Sequence, residues 1–198
     1  MRRNTTSVWA AWTGVAGPWS WQADARSDDL SSHGRVATQR LGASYQGSSS
    51  WRLRALAGST FRAPSFNDLV YPGYGVATLA PERGRSLEAG LTWTPLADHA
   101  VEVGAFRNRV RDLIGYESDP RLCPDPIAYS FGCARNVDRA RLQGLTLSAQ
   151  GRWQSWSGRL GLDLLDARDE RTQERLPRRA TQQLSARLDR SAGAGAPG

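Results

Sequence analysis

Several residue types are absent or rare in this chain of 198 residues. It contains no lysine, so all 26 basic residues are arginine, and Met1 is its only methionine. Only two cysteines and two histidines are present. Because zinc usually requires four nitrogen or sulfur ligands, two cysteines alone make a weak metal site. His33 and His99 belong to no metal-binding spacing and to no nucleophile motif. The sequence therefore predicts no metal site, no cofactor and no enzymatic activity.

Long apolar runs are also missing. The longest run covers only residues 8–12, whereas a membrane-spanning helix needs about 20 predominantly apolar residues. Transmembrane helices are therefore not expected. Residues 1–6 include two arginines but no apolar segment follows them, so a secretory signal peptide is not predicted either.

The arginine excess has two interpretations. A formal net charge of +7 is compatible with contact to nucleic acids or membranes. Arginine without lysine is expected from a GC-rich genome, but it would also suit a surface that binds phosphate or anionic lipid headgroups. The arginines are spread along the whole chain, with no block of five or six like charges and no nucleic-acid recognition motif. Nucleic acid is therefore not an expected partner.

Apolar and polar residues alternate with a period of two along most of the chain, as in residues 87–93, which is typical of strands with one apolar face. About nine strands are predicted, the first at residues 5–16. Two segments are less regular. The alternation blurs within residues 100–116, and in residues 137–153 the apolar positions change parity near Gly144, where a glycine bulge is predicted.

The predicted strands are long, and their connections alternate in length. Most strands have ten to fifteen residues, whereas strands in soluble proteins have about five or six and a tilted strand crossing a bilayer needs about nine to eleven. Short connections are predicted at residues 17–18, 47–50, 95–99 and 154–157, and long ones at 28–35, 62–84, 117–136 and 168–177. Short periplasmic turns and long extracellular loops are typical of outer-membrane barrels. The predicted fold is all-β, an antiparallel transmembrane β-barrel.

Tryptophan placement favours the same fold. Six of the eight tryptophans lie beside the short turns: Trp19, Trp21, Trp51, Trp93, Trp153 and Trp156. They are expected to form an aromatic belt in contact with outer-membrane lipid at the periplasmic interface. The alternative is a soluble β-sandwich whose ends are plugged by tryptophan.

The opposite face of the strands carries many charged residues, which implies a wide wet lumen or a polar plug rather than an apolar core. These residues are Asp24, Arg26, Arg40, Arg52, Arg54, Glu88, Glu102, Asp163 and Arg187.

Cys123 and Cys133 stand ten positions apart in the third long connection. If the protein is exported, the two cysteines are expected to close this loop as a disulfide.

The segment 59–91 contains motifs that point to a family. The stretch Phe61-Arg62-Ala63-Pro64 ends a predicted strand, and Leu79-Ala80-Pro81-Glu82 leads into the next one. This arrangement resembles the β-barrel of TonB-dependent outer-membrane receptors. Residues 67–69, 71–72, 112–116, 136–144 and 175–180 are similar to the vitamin B12 receptor branch of that family. The resemblance covers about residues 4–190.

The resemblance implies a fragment of a larger receptor. Complete members have a signal peptide, a segment that contacts TonB, an N-terminal plug and a barrel of 22 strands ending in an aromatic residue. Residues 1–190 match about nine strands from the later half of such a barrel, and residues 191–198 are expected to be a disordered tail of small residues. Contact with TonB would pass through a plug that this chain lacks. The metal and plug contacts of the family would lie before Met1, so no metal ligands are carried over.

The implied function is active uptake of a large scarce nutrient, with cobalamin favoured over iron chelates. The loop 62–84 is expected to contact the ligand because it contains side chains that can hydrogen-bond to or stack on a large polar ring system. These are Arg62, Asn67, Asp68, Tyr71 and Tyr74. The alternative for these residues is packing against neighbouring loops. Two other functions remain open, a β-sheet interaction module that binds through its tryptophans and an inactive product of a truncated gene.

Overall fold

The computed structural model describes residues 4–31 and 33–191, which form one antiparallel sheet of nine strands in sequence order. The strands are β1 Thr5–Ala16, β2 Trp19–Leu30, β3 Gly34–Ser48, β4 Trp51–Arg62, β5 Glu82–Leu96, β6 His99–Glu117, β7 Cys133–Trp153, β8 Trp156–Asp169 and β9 Gln182–Arg190. One short helix, α1 Phe66–Val70, follows β4. No helix in this described part of the chain is long and apolar enough to cross a bilayer. Apart from Ser191, the predicted tail 191–198 lies outside the described residues.

The connections confirm most of the predicted alternation and correct one part of it. Two-residue turns occupy residues 17–18, 49–50, 97–98 and 154–155, and long loops occupy 63–81, 118–132 and 170–181. The predicted long loop at 28–35 is wrong, because β2 continues to Leu30 and pairs there with Gly34. Gly34 has a φ of 68°, a left-handed conformation that glycine adopts without strain. The polar strand ends that suggested a loop instead form an ion pair between Arg26 and Asp28 at 2.8 Å.

The register sorts the side chains onto two faces. Directly paired residues of neighbouring strands project to the same side of a sheet. Pairing aligns a row of apolar residues across five strands: Leu53, Leu91, Val103, Leu147 and Leu162. We call this side the outer face, because it is the side that contacts lipid in a barrel. The nine charged residues predicted to face the lumen all lie on the opposite, inner face.

The predicted bulge at Gly144 is wrong. The pairing of β7 with β6 and with β8 passes through Gly144 without a shift in register. Ala140 and Leu142 therefore lie on the inner face, near the loop end of the strands. There they pack in a cluster with Leu176 of the loop 170–181. The parity of the apolar positions changes because this loop covers the inner face at the end of β7. The side chains of β7 keep their regular alternation between the two faces.

Gly144 is required for a steric reason. A Cβ atom at this position would overlap the carbonyl oxygen of Leu164 and come within 2.8 Å of the Phe106 ring. At Gly42, on the same inner face, the nearest atom would be the carbonyl oxygen of Ala55 at 3.8 Å. We expect G144A to lower the free energy of unfolding by about 1–3 kcal/mol, and G42A to leave it nearly unchanged. Denaturant titration of the complete barrel folded in lipid vesicles measures both, and equal midpoints would contradict the steric role of Gly144.

The sheet is open at both sides. Within the described residues, β1 pairs with β2 alone and β9 pairs with β8 alone. Each unsatisfied backbone polar group in hydrocarbon costs several kcal/mol. An open sheet with an apolar outer face is therefore a segment of a barrel and not a closed barrel in its own right.

Candidate functional site

The loop 63–81 is held in place at its start by helix α1. Ser65 caps the helix, and its backbone N–H donates to Oδ2 of Asp68 at 2.8 Å. In return, the N–H of Asp68 donates to Oγ of Ser65 at 3.1 Å. This reciprocal arrangement is a capping box, which satisfies two backbone donors at a helix start.

Two of the predicted ligand residues form a charged network at the base of this loop. The guanidinium of Arg62 lies 3.4 Å from Asp68 and 2.5 Å from Glu82. Glu82 also accepts the backbone N–H of Ile114 at 2.9 Å, which connects the loop to β6. Arg62 and Asp68 are therefore engaged in holding the loop.

The loop 118–132 is closed by a disulfide between Cys123 and Cys133, whose Cα atoms lie 6.0 Å apart. A 3₁₀ turn, Pro120–Leu122, precedes Cys123 and is capped by Asp119. Hydrogen bonds from Arg121 to the Asp119 carboxylate hold the pKa of Asp119 below its usual value.

A small apolar cluster joins the two loops. Its buried members come from both loops and from the start of β7: Leu69, Val76, Leu79, Cys123, Cys133 and Ala134. Tyr129 donates its hydroxyl hydrogen to the carbonyl oxygen of Gly75 at 2.8 Å, bonding one loop to the other. We call the loops 63–81 and 118–132 the docked loop pair, because they share one buried core.

Tyr74 belongs to this core. Its ring stacks on Tyr116 with centroids 6.3 Å apart, and its carbonyl oxygen accepts the N–H of Ala134 at 2.8 Å. Burial raises the pKa of the Tyr74 phenol, and the negative charge of Asp68 adds to the effect. Arg178 of the loop 170–181 lies over the Tyr116 ring at 4.4 Å. Tyr74 thus connects the docked loop pair to the third loop.

The exposed side chains of the docked loop pair are the ones available to a ligand. Asn67 is exposed, and Tyr71 is 58% exposed just after helix α1. On the partner loop, Ile127 and Phe131 are 89% and 85% exposed. Sequence reasoning missed these two residues. The available signal was the presence of two large apolar residues between the two cysteines of a proline-containing loop.

The six tryptophans beside the short turns all lie on the outer face. Trp51 and Trp93 stack across β4 and β5 with ring centroids 5.5 Å apart. Arg190 lies over the ring of Trp156 at 5.5 Å. The aromatic residues thus occupy the end of the sheet opposite the docked loop pair.

Among residues 4–31 and 33–191, no cluster of three or more His, Cys, Asp or Glu is arranged to hold a metal ion.

Comparison with known proteins identifies the family. A family model described as "TonB dependent receptor-like, beta-barrel" matches residues 1–195. The vitamin B12 transporter BtuB of Photobacterium profundum is 30% identical over 179 residues, covering 90% of this chain and 28% of the relative. BtuB of Vibrio vulnificus is 30% identical over 166 residues, covering 83% and 25% respectively. The chain thus spans about a quarter of the length of these curated relatives.

A solved structure agrees on the fold. The copper transporter OprC superposes with a TM-score of 0.75 at 17% identity, covering 94% of this chain and 31% of OprC. The shared fold fixes the orientation, with short turns at the periplasmic side and long loops at the extracellular side. The chain belongs to the TonB-dependent receptor family, whose members are outer-membrane receptors and not enzymes, and it forms a segment of the β-barrel.

Proposed function

We propose that this chain supplies part of the barrel and the ligand-capturing extracellular loops of a receptor for a large scarce nutrient, cobalamin. The observation that carries the proposal is the docked loop pair, which presents Tyr71, Ile127 and Phe131 to the solvent from a base fixed by a disulfide and ion pairs. Rigid loops with exposed aromatic groups bind large ligands at a low entropic cost. The two BtuB relatives support cobalamin as the ligand.

The remaining parts of the receptor follow from the open sheet. The free edges of β1 and β9 pair with further strands of the same barrel. The charged inner face surrounds a polar plug, and TonB transmits energy to the ligand through that plug. Residues 1–190 act as barrel, and Arg62, Asn67, Asp68 and Tyr74 support or flank the contact surface formed by Tyr71 and the partner loop.

Tyr71 tests whether the docked loop pair contacts the ligand directly. We expect Y71A to weaken ligand binding about tenfold, equivalent to about 1.4 kcal/mol, because a stacking surface is removed. Y71F keeps the ring and should bind nearly as the native protein does. The dissociation constant for cyanocobalamin, measured on the receptor purified from outer membranes, distinguishes the two variants. Equal dissociation constants for Y71A and the native receptor would show that Tyr71 does not contact the ligand.

Uptake experiments test the function as a whole. Cells that lack other routes for vitamin B12 and carry this receptor should accumulate labelled cyanocobalamin only when TonB is present. Ferric siderophores and copper are the competing substrates, since siderophore receptors and the copper transporter OprC share this fold. Uptake of copper or a ferric siderophore without cobalamin would overturn the ligand assignment. If the protein instead remained in the soluble fraction of the cell, the receptor function would be wrong, and a β-sheet interaction module would be the better explanation.

A further inference from the structure

The outer face carries a dense group of arginines at the loop end of strands β5 to β8. We call it the arginine patch, and it consists of Arg83, Arg85, Arg107, Arg109, Arg111, Arg139, Arg141 and Arg168. Nothing in the docked loop pair or in the proposed uptake of a nutrient requires these residues. They lie outside the barrel lumen, on the side that contacts lipid.

The register places these arginines in contiguous rows. Arg85 pairs with Arg109, Arg109 with Arg141, and Arg141 with Arg168, so one row of like charges crosses four strands. A second row aligns Arg83, Arg111 and Arg139. Like charges directly opposite each other destabilise a sheet. The patch therefore has an electrostatic cost that a bound anion would reduce.

The carboxylates of the same face neutralise only part of this charge. Asp166 lies 2.8 Å from Arg168 and 3.9 Å from Arg141, and Glu170 lies 3.5 Å from Arg109. Among the described residues, no carboxylate oxygen lies within 4.0 Å of the exposed Arg85, Arg107 or Arg111. The described side chains also provide no hydrogen-bond acceptor for the buried Nε of Arg141. The patch thus retains donors and positive charge.

The patch lies at the depth of the outer headgroups. Twelve positions separate Arg141 from Trp153 on β7, and twelve separate Arg168 from Trp156 on β8. At about 3.4 Å per residue this is about 41 Å along the strand, or about 29 Å along the membrane normal at a tilt of about 45°. The apolar band of an outer-membrane barrel is about 25 Å tall. With the tryptophans at the periplasmic interface, the arginines reach the extracellular one.

We propose that the arginine patch is a binding site for the phosphate groups of an anionic lipid headgroup in the outer leaflet. Guanidinium groups bind phosphate oxygens through paired, charge-assisted hydrogen bonds. A lipid anchored beside the barrel brings its phosphates to the patch at the depth just derived. A phosphorylated lipid is therefore a better fit than a soluble anion, which would gain nothing from the adjacent apolar rows.

The test compares two double variants of the receptor purified from outer membranes in detergent. R85Q/R107Q removes two arginines of the patch that have no carboxylate oxygen of a described residue within 4.0 Å. R52Q/R54Q removes the same charge from the inner face and serves as the matched control. The probe is fluorescent lipid A, which carries phosphates on an acylated headgroup, and inorganic phosphate is titrated separately. Heat modifiability on a gel verifies that both variants are folded.

We expect R85Q/R107Q to weaken lipid A binding about tenfold or more, while R52Q/R54Q binds like the native receptor. Equal loss in both variants would show a general charge effect and overturn the proposal, as would unchanged binding in R85Q/R107Q. Competition by inorganic phosphate as strong as that by unlabelled lipid A would make a free anion the ligand and overturn the lipid assignment. Lipid binding is measured without cobalamin, so its failure would leave the proposed uptake function untouched.

Discussion

Replacing Leu147 with arginine should cost about 2–4 kcal/mol of the free energy of unfolding, the range for a cation on the lipid face of a barrel at the bilayer midplane. Leu147 lies on the outer face between Val103 and Leu162. It is midway along β7 between Arg141 and Trp153, and it is 44% exposed although it is apolar. In lipid, this exposed surface contacts acyl chains, and a guanidinium there has no water within easy reach. Denaturant unfolding of the whole receptor folded in vesicles measures the loss.

The adjacent position provides the control. Ser148 points to the inner face and pairs with Glu102, so an arginine there enters a polar, charged environment. We expect S148R to change the free energy of unfolding by less than about 1 kcal/mol. Equal costs for L147R and S148R would mean that the two faces do not differ in their surroundings, and the assignment of the outer face would be wrong.

Removing the disulfide should release the docked loop pair while leaving the strands folded. Cys123 and Cys133 are ten positions apart, and chain entropy predicts about 2.5–3 kcal/mol of stabilisation for a loop of this size. In C123A/C133A, amide hydrogen exchange in residues 118–132 should accelerate about a hundredfold. Residues 63–81 should also exchange faster, because Leu69, Val76 and Leu79 belong to the same buried cluster as the two cysteines.

Reduction of the native protein provides an independent comparison. In the native protein, a reductant should accelerate exchange in the same loops as the C123A/C133A substitution does. It should have no effect on C123A/C133A itself. Amides of β5 and β6 outside the loops should be unchanged in both cases. Faster exchange in 118–132 with none in 63–81 would show that the two loops do not share a core, and the docked loop pair would have to be abandoned as a unit.

The alternation of residue types was sufficient to predict the nine strands, because lipid and a polar interior select opposite side chains at every second position. The prediction from alternation failed where a loop of the protein, and not lipid, covered one face of a strand. Ala140 and Leu142 suggested a bulge because the cover supplied by Leu176 comes from a loop distant in sequence. Asp28 suggested a loop because it is charged. Its strand extends beyond the apolar zone, and there the carboxylate of Asp28 forms an ion pair with Arg26.

The motif around Arg62 and the position of Tyr71 directed the prediction of a ligand site to the loop 62–84. The sequence could not show which residues of that loop hold it in place and which are exposed. That distinction depends on the partner loop, since Tyr74 packs against residues far along the chain. The arginine patch was equally hidden, because its rows exist only once the register of four strands is known.

The sequential order of the strands has a consequence for how such barrels diversify. Every strand from β2 to β8 pairs with its two neighbours in the chain, and four of the connections are turns of two residues. Gain or loss of one hairpin in the gene would therefore leave all the other pairings intact and change the circumference by two strands. Changes by whole hairpins would keep the strand number even, as it is in bacterial barrels.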